Sequence, residues 1–313
     1  MAQAAEPADP VRPEDDVIKT YRYLRIGMIG AVALLAASIA YERFNVDCWQ
    51  TSISAYYYTP VRAIFVGSMM AVGLSLIVYK GRISSLELDS RTVRLNFEDI
   101  CLNFAGMLAP VVAIAPTTDV GTCWSVEPRP LPINNDGSLA GWVVANIENN
   151  FNALLIAGGI ALAVAAVITI VVDRSLLSPT NTVALGTRVS LAVTFLVLLV
   201  AWWLSLNWSD FNTSAHGYAA VGMFVFLIGA IIAVAGRHWQ RSDRTWFRLY
   251  AAVAALMALG GLFIWLTRIF GEHTVFALET YEIVLFAVYW ILQTKENWDE
   301  EVIEVDVDGA EAG

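Results

Sequence analysis

Charge is what this sequence has least of. Asp, Glu, Lys and Arg together make up 15% of its 313 residues, against about a quarter in a soluble domain. That shortage leaves too little polar side chain to clothe a water-soluble fold. Cysteine and histidine are scarcer still, at three residues each. Cys48, Cys101 and Cys123 form no C-x-x-C pair, which removes zinc-knuckle and thioredoxin-like sites. The histidines form no H-x-x-x-H or H-E-x-x-H pair, so a helix-borne zinc centre has no motif behind it. With a net charge of −10, concentrated in the two tails, nucleic acid has no support as a partner.

What is present in quantity is apolar. Hydrophobic residues reach 57%, and they fall in eight runs, at about 26–41, 60–79, 98–116, 151–172, 188–206, 216–235, 247–269 and 274–293. Each is close to the ~20 residues that cross a ~30 Å hydrocarbon core. The expectation is an all-α, polytopic membrane bundle over 19–296, between a disordered acidic tail at 1–18 and a second acidic tail at 297–313. The first run, with Lys19, Arg22 and Arg25 ahead of it and Ser38 to Ala40 near its end, also fits a cleaved signal peptide. The long acidic preface favours an uncleaved helix.

Eight crossings put both termini on one side, and the basic residues choose which. Fifteen Lys and Arg fall in the tails and even loops, and four (Arg43, Arg62, Arg129 and Arg268) on the other side. The positive-inside rule then makes the termini cytoplasmic. Cys48 and Cys123 share the outer face on this topology, where a disulfide between them would persist. The longest loop, 117–150, carries Pro128, Pro130, Pro132 and an Asn-Asn-Asp-Gly turn at 134–137, and reads as an irregular lid. Small residues four apart (Gly67, Ala71, Ser75; Ala157, Ala161, Ala165; Ala254, Ala258) predict the faces on which helices approach closely.

Ionisable groups inside spans cost about 2.5–3.5 kcal/mol each on insertion scales, so each needs a reason. Asp99 and Asn103, with Glu98 beside them, form a polar stripe on the third span, and Glu279 and Glu282 lie near one face of the eighth. Glu279 calls for a cationic or donor partner; Arg62 and Arg268 are the candidates at the external end, and an Arg62–Glu279 pair would account for both charges. His216 and His273 open two spans at the outer depth and are the residues that could hold zinc, although catalysis asks for about three protein ligands. His238, among Arg237, Arg241 and Arg244, reads as solvated. Ser54, Tyr57, Arg62, His216, His273 and Glu279 thus make up the candidate outward-facing pocket. Tyr56, Tyr57 and Tyr58 in a row exceed what an aromatic belt needs, so at least one points inward.

Taken together, several stretches resemble an uncharacterised family of bacterial multi-pass membrane proteins. They are Ser54 to Thr59 (SAYYYT) with Arg62 and Phe65-Val66-Gly67, then Tyr79-Lys80-Gly81, Asn103 to Gly106 running on to Pro116-Thr117, His216 with Ala219-Ala220, and Glu279 with Phe286 and Trp290. The resemblance implies an inner-membrane location and brings no activity. A looser likeness is to the CREST membrane hydrolases, seven-helix bundles with a zinc on three histidines near a Ser and an Asp. It implies comparable roles for Ser54, His216 and His273; the paired histidines of the last helix are absent here. Three functions follow, in order: binding of a lipid or membrane-protein partner at the outward pocket, proton-coupled transport, and zinc-dependent lipid hydrolysis.

Overall fold

The structure, a computed structural model, describes residues 13–79, 97–121, 123–126, 130–172, 182–208 and 210–298. Its helices are α1 (Pro13–Val46), α2 (Arg62–Val78), α3 (Phe97–Ile114), α4 (Gly141–Val172), α5 (Thr182–Asn207), α6 (Phe211–Gln240), α7 (Arg244–Ala255), α8 (Gly261–Thr267) and α9 (Thr274–Glu296). A π-helical turn, Leu256–Gly260, joins α7 and α8 into one rod. Among the described residues there is no strand, only a bridge between Ile133 and Leu139. Helix is the expected outcome for segments this apolar, because in lipid each backbone amide must find its partner within the segment.

Six helical rods are long and apolar enough to cross a membrane, and the apolar helices Arg62–Val78 and Leu191–Asn207 are shorter. Together they occupy all eight expected runs, and the chain is an all-helical protein built to be embedded several times in a membrane. Two boundaries move. Helix α1 begins at Pro13, where a missing N–H costs nothing, so residues 13–18 belong to it and not to a disordered tail. Residues 141–150 are the first turns of α4, which shortens the expected lid. The remaining tail residues, 1–12 and 299–313, lie outside the described residues.

The first and last helices meet where they begin and end. Arg22 donates from Nε and Nη2 to the Trp298 carbonyl at 3.0 and 2.6 Å, and Arg25 Nη1 donates to the Gln293 carbonyl at 2.6 Å. This end of the bundle is called here the terminal end, and the opposite one, with Cys48 and the Tyr run, the far end.

Helix α3 sits between α2 and α6. It can do so because α2 and α3 cross on glycines: a Cβ on Gly106 would lie 2.6 Å from the Gly73 carbonyl oxygen, and one on Gly73 would lie 2.8 Å from that of Gly106. Backbones this close exclude any side chain, and in lipid such packing replaces hydrophobic collapse. The small residues that the sequence suggested are elsewhere. Gly67 has open space around it, Ala71, Ala157, Ala161 and Ala165 are exposed, and of that set Ala254 is buried. Four-residue spacing marks a face without saying whether a helix or lipid covers it. Helices α4 and α5 pack mainly on each other, with the most apolar stretch of α4 left uncovered by protein.

The crossing gives a direct test by thermal unfolding of the purified protein in detergent. Gly106→Ala should cost about 1–3 kcal/mol, the usual penalty of overpacking. Gly67→Ala, facing open space, should stay within about 0.5 kcal/mol of wild type.

Candidate functional site

At the far end, residues 52–62 fold into a tight polar knot. Ser52 Oγ accepts from Ala55 N at 2.9 Å and starts a 3-10 turn, Ser54–Tyr58. Thr59 closes it by donating from Oγ1 to the Tyr56 carbonyl at 2.8 Å and accepting from Val61 N at 3.2 Å. Tyr56, Tyr57 and Tyr58 are all buried, so the whole run points inward. Burial raises the phenol pKa of Tyr56 and Tyr58, which keeps them neutral; Tyr58 Oη donates to the Thr117 carbonyl at 2.9 Å.

The loop after α3 is strapped over this knot. Cys48 and Cys123 form a disulfide with 6.0 Å between Cα atoms. Beside it, Gln50 is fully buried, donates from Nε2 to the Cys123 carbonyl at 2.6 Å and accepts from Cys123 N at 3.5 Å. Gly121, at φ +67°, leaves room for that amide: a Cβ there would come within 1.9 Å of Gln50 Oε1.

Three sequence-selected residues converge under the strap. Ser54 Oγ lies 2.8 Å from His216 Nε2 on α6 and 2.8 Å from Glu279 Oε1 on α9. The second carboxyl oxygen of Glu279 accepts from Ile53 N at 2.5 Å and, more loosely, from Ser54 N at 3.4 Å. His216 Nδ1 faces two carbonyls, Ala115 at 2.7 Å and Val112 at 3.1 Å. Carbonyls only accept, so Nδ1 carries a proton. The two contacts of Ser54 Oγ then need two hydrogens, and the hydroxyl supplies one. The other sits either on Glu279, with a neutral imidazole, or on His216 Nε2, with an ionised carboxylate. Both arrangements have zero net charge, and they differ by a proton hop at each end of one hydroxyl.

The other candidates fall outside this triad. Arg62 does not meet Glu279: its guanidinium donates to Tyr57 Oη at 2.6 Å and lies 4.3 Å from that ring's centroid. Glu279 instead takes its donors from backbone amides and a hydroxyl, which removes the need for a cation. His273 is half-buried and donates from Nδ1 to the Gln50 carbonyl at 3.2 Å, with Glu272 at 3.6 Å from Nε2. Both ring nitrogens of His216 are engaged, and no group of three His, Cys, Asp or Glu among the described residues could hold a metal ion. The His216 and His273 zinc pair is therefore not assembled. Arg62 also forms no rim of an open polar pocket, because the polar atoms of Ser54, His216 and Glu279 are turned to one another.

Below the triad runs a narrow apolar slot of about 60 Å³. Ser54 and Glu279 form its top, and Phe65, Ser68, Val72 and Leu76 of α2 its side, with Phe286 of α9 near the bottom. The Ser68 hydroxyl is buried in this wall without a hydrogen-bond partner. One turn beyond Glu279, Glu282 is also buried, and its Oε2 has no partner.

The terminal end holds a second buried polar cluster. Glu98 (1% exposed) is ion-paired with Arg237. Gln293 Nε2 donates to Glu98 Oε1 at 2.9 Å, and Tyr289 Oη stands 3.5 Å from the same oxygen. Tyr79 Oη connects Gln293 Oε1, at 3.3 Å, with Arg25 Nη2, at 3.1 Å. Of the stripe expected on α3, Asp99 and Asn103 are half-buried and Glu98 is the buried member. His238 is not solvated. It is buried, lies 2.9 Å from Glu296 Oε1 and stacks on Tyr250, whose Oη donates to Glu296 Oε2 at 2.6 Å. Sequence reasoning placed Arg237 and His238 in a basic loop; the signal it missed is that α6 continues to Gln240, so both occupy its last helical turn.

No protein-family model, curated protein or solved structure matches this chain. What can be said of its chemistry rests on the two clusters and the slot between them.

Two stability measurements check this account. Closing a loop of sequence separation 75 by a disulfide is worth about 4 kcal/mol on the chain-entropy scale; reduction, or Cys48→Ser with Cys123→Ser, should lower the unfolding free energy by up to that amount. Arg237→Met should cost about 3–5 kcal/mol by stranding the Glu98 carboxylate, and adding Glu98→Gln should recover most of it. A double variant as unstable as Arg237→Met alone would remove the ion pair from the explanation.

Proposed function

We propose that this chain is an integral membrane protein that carries protons between its two faces. The observation that carries the reading is the position of the Ser54 hydroxyl, bonded to His216 Nε2 on one side and Glu279 Oε1 on the other at 2.8 Å each. A hydroxyl so placed passes a proton from one neighbour to the other without moving a heavy atom. Neither Glu279 nor Glu282 has a cationic partner among the described residues, whereas an ionisable group at membrane depth that is purely structural is usually paired.

The route runs down α9. Glu279 is followed by Glu282, then by Phe286, Tyr289 and Gln293, the last two in contact with Glu98. The slot runs from Glu279 to Phe286 on α9 and to Leu76 on α2, ending one helical turn short of Tyr289 and Tyr79. Its volume exceeds the ~10–15 Å³ needed to hold one water, and the Ser68 hydroxyl in its wall is a polar group left over for such a water. Phe286 closes its lower end, so passage down the slot from Glu279 toward Glu98 requires that ring to move, as in a gated carrier and not an open pore. The excess of basic residues around the terminal end supports a cytoplasmic placement for it, and the family likeness supports the bacterial inner membrane. Protons would then enter at the strapped outer face and leave past Glu98.

Proteoliposomes with an interior pH dye test the reading. Under an imposed pH gradient and a potassium-clamped potential, wild-type protein should collapse the gradient faster than protein-free liposomes. Glu282→Gln and Glu279→Gln should each slow it about tenfold or more, with Gly67→Ala unchanged. Flux equal to that of protein-free liposomes, or undiminished in both Gln variants, would falsify proton carriage.

A further inference from the structure

A second feature lies on the outer surface of the bundle at the terminal end, away from the triad and the slot. Helices α6 and α7 diverge there and leave a groove of about 660 Å³, within the ~300–1,000 Å³ typical of ligand clefts. Its floor is made of residues too small to fill it: Ala235 and Gly236 on α6, Ala251, Ala254 and Ala255 on α7 and Ala258 in the π turn, with Trp239 and Phe247 at the mouth.

The mouth is basic. Arg244 and Arg248 precede Phe247 and Ala251 by three residues, and Ala251 and Ala255 follow Arg244 and Arg248 by seven, so both arginines project from the groove-lining face of α7. Arg241 lies in the turn between the helices. All three are exposed, and among the described residues none has an ion-pair partner. The Arg244 guanidinium is held 4.1 Å from the centroid of Trp239, which fixes a charge at the rim with its N–H edge free. The nearest carboxylate in the turn, Asp243, is turned away: it accepts from Trp246 N at 3.3 Å and stands 3.7 Å from His238 Nδ1. An apolar furrow that opens sideways on a membrane-spanning surface, ending in three uncompensated guanidiniums and an interfacial tryptophan, complements one kind of molecule. It must have long apolar chains and a negatively charged phosphodiester at the depth of the helix ends.

We infer that the α6–α7 groove is a binding site for an anionic phospholipid, its acyl chain lying on Ala251, Ala255 and Ala258 and its phosphate held by Arg241, Arg244 and Arg248. Basic pockets between spans at a membrane face are recognised lipid sites in general terms, and Arg is the better-suited cation because its planar fork engages two phosphate oxygens. The site shares no residue with the proton route.

The test uses full-length protein in mixed micelles. Binding of phosphatidylglycerol and phosphatidylcholine is compared by native mass spectrometry and by the shift in unfolding temperature. Phosphatidylglycerol should be preferred by roughly tenfold or more, given what basic side chains near a membrane surface contribute. Arg244→Gln with Arg248→Gln should abolish the preference. Ala255→Leu with Ala258→Leu, which fills the exposed furrow and leaves every charge in place, should reduce retention of both lipids. Equal retention of the two lipids by wild type would overturn the proposal. So would a preference that survives the Arg pair, a shift reproduced by inorganic phosphate alone, or a preference that emerges only after removal of the acidic residues 299–313, which would make the chain's own tail the occupant.

Discussion

The Glu279 carboxylate is where the far end of the bundle is tied to its interior. A buried 3-10 turn begins with amide N–H groups that no residue of the turn can accept, and at Ile53 and Ser54 those amides end on Glu279 Oε2. Lipid offers no substitute acceptor. Once α9 supplies one, the turn is fixed, and with it the direction of Tyr56, Tyr57 and Tyr58, the start of α2 at Arg62 and the height at which Ser54 meets His216. The disulfide and the Gln50 amide act on the same unit from above, holding the loop after α3 against it. Backbone satisfaction accounts for the Glu279 contacts to amides. It does not account for the two-sided bonding of Ser54, because a glutamine at 279 would serve the turn equally well.

The two buried clusters solve the burial of charge differently, and that difference bears on what each can do. At the terminal end Glu98 faces Arg237, whose guanidinium keeps its proton at any physiological pH, with Gln293, Tyr289 and Tyr79 filling the remaining positions. A carboxylate held this way has little reason to change state, and breaking the pair is costly. At the far end, among the described residues, no permanent cation meets Glu279; the neutralising group is a proton shared with an imidazole, which is the side chain that exchanges protons most readily near neutrality. One cluster is a fixed counter-charge and the other an exchangeable one. A membrane protein that only needed rigidity could have used the first kind at both ends.

Most of the helices were legible in the sequence because eight apolar runs of membrane length admit little else. The stretch from Ser52 to Gly67 was legible as unusual, and Ser54, His216 and Glu279 were all selected from it and from membrane-depth polarity. Their mutual arrangement was not, for a definite reason: side-chain chemistry suggested Arg62 for Glu279, while the actual donors at Ile53 and Ser54 are backbone amides, invisible in composition. Arg62 found a tyrosine face instead, where a guanidinium can be satisfied without a carboxylate. Similarly, the helices approach at Gly73 and Gly106 and not at the Gly67, Ala71, Ser75 stripe, since periodicity gives the faces of a helix but not their neighbours. Arg237 and His238 were misread because a basic pair at a helix end looks the same whether it turns to water or inward to Glu98 and Glu296.

Glu282 closes the argument from the side of the fold. It stands on α9 against the rod formed by α7 and α8, where the rod is interrupted by the π turn Leu256–Gly260. A Cβ on Gly260 would fall 2.1 Å from Tyr281 Oη, and one on Gly261 would fall 2.3 Å from Glu282 Oε1. The two glycines are therefore what admits these side chains, and the π turn, which frees backbone from the ordinary ladder, supplies the Leu256 carbonyl that accepts from Tyr281 Oη at 2.9 Å. Tyr281 is satisfied by this arrangement and Glu282 is not: one of its oxygens keeps no partner. A local irregularity and two glycines that together accommodate a carboxyl group at mid-depth, without neutralising it, would be a poor device for stability alone. Lying on α9 between Glu279 and the Glu98 cluster, that carboxyl is the group on which the proposed proton route between the two ends of the bundle depends.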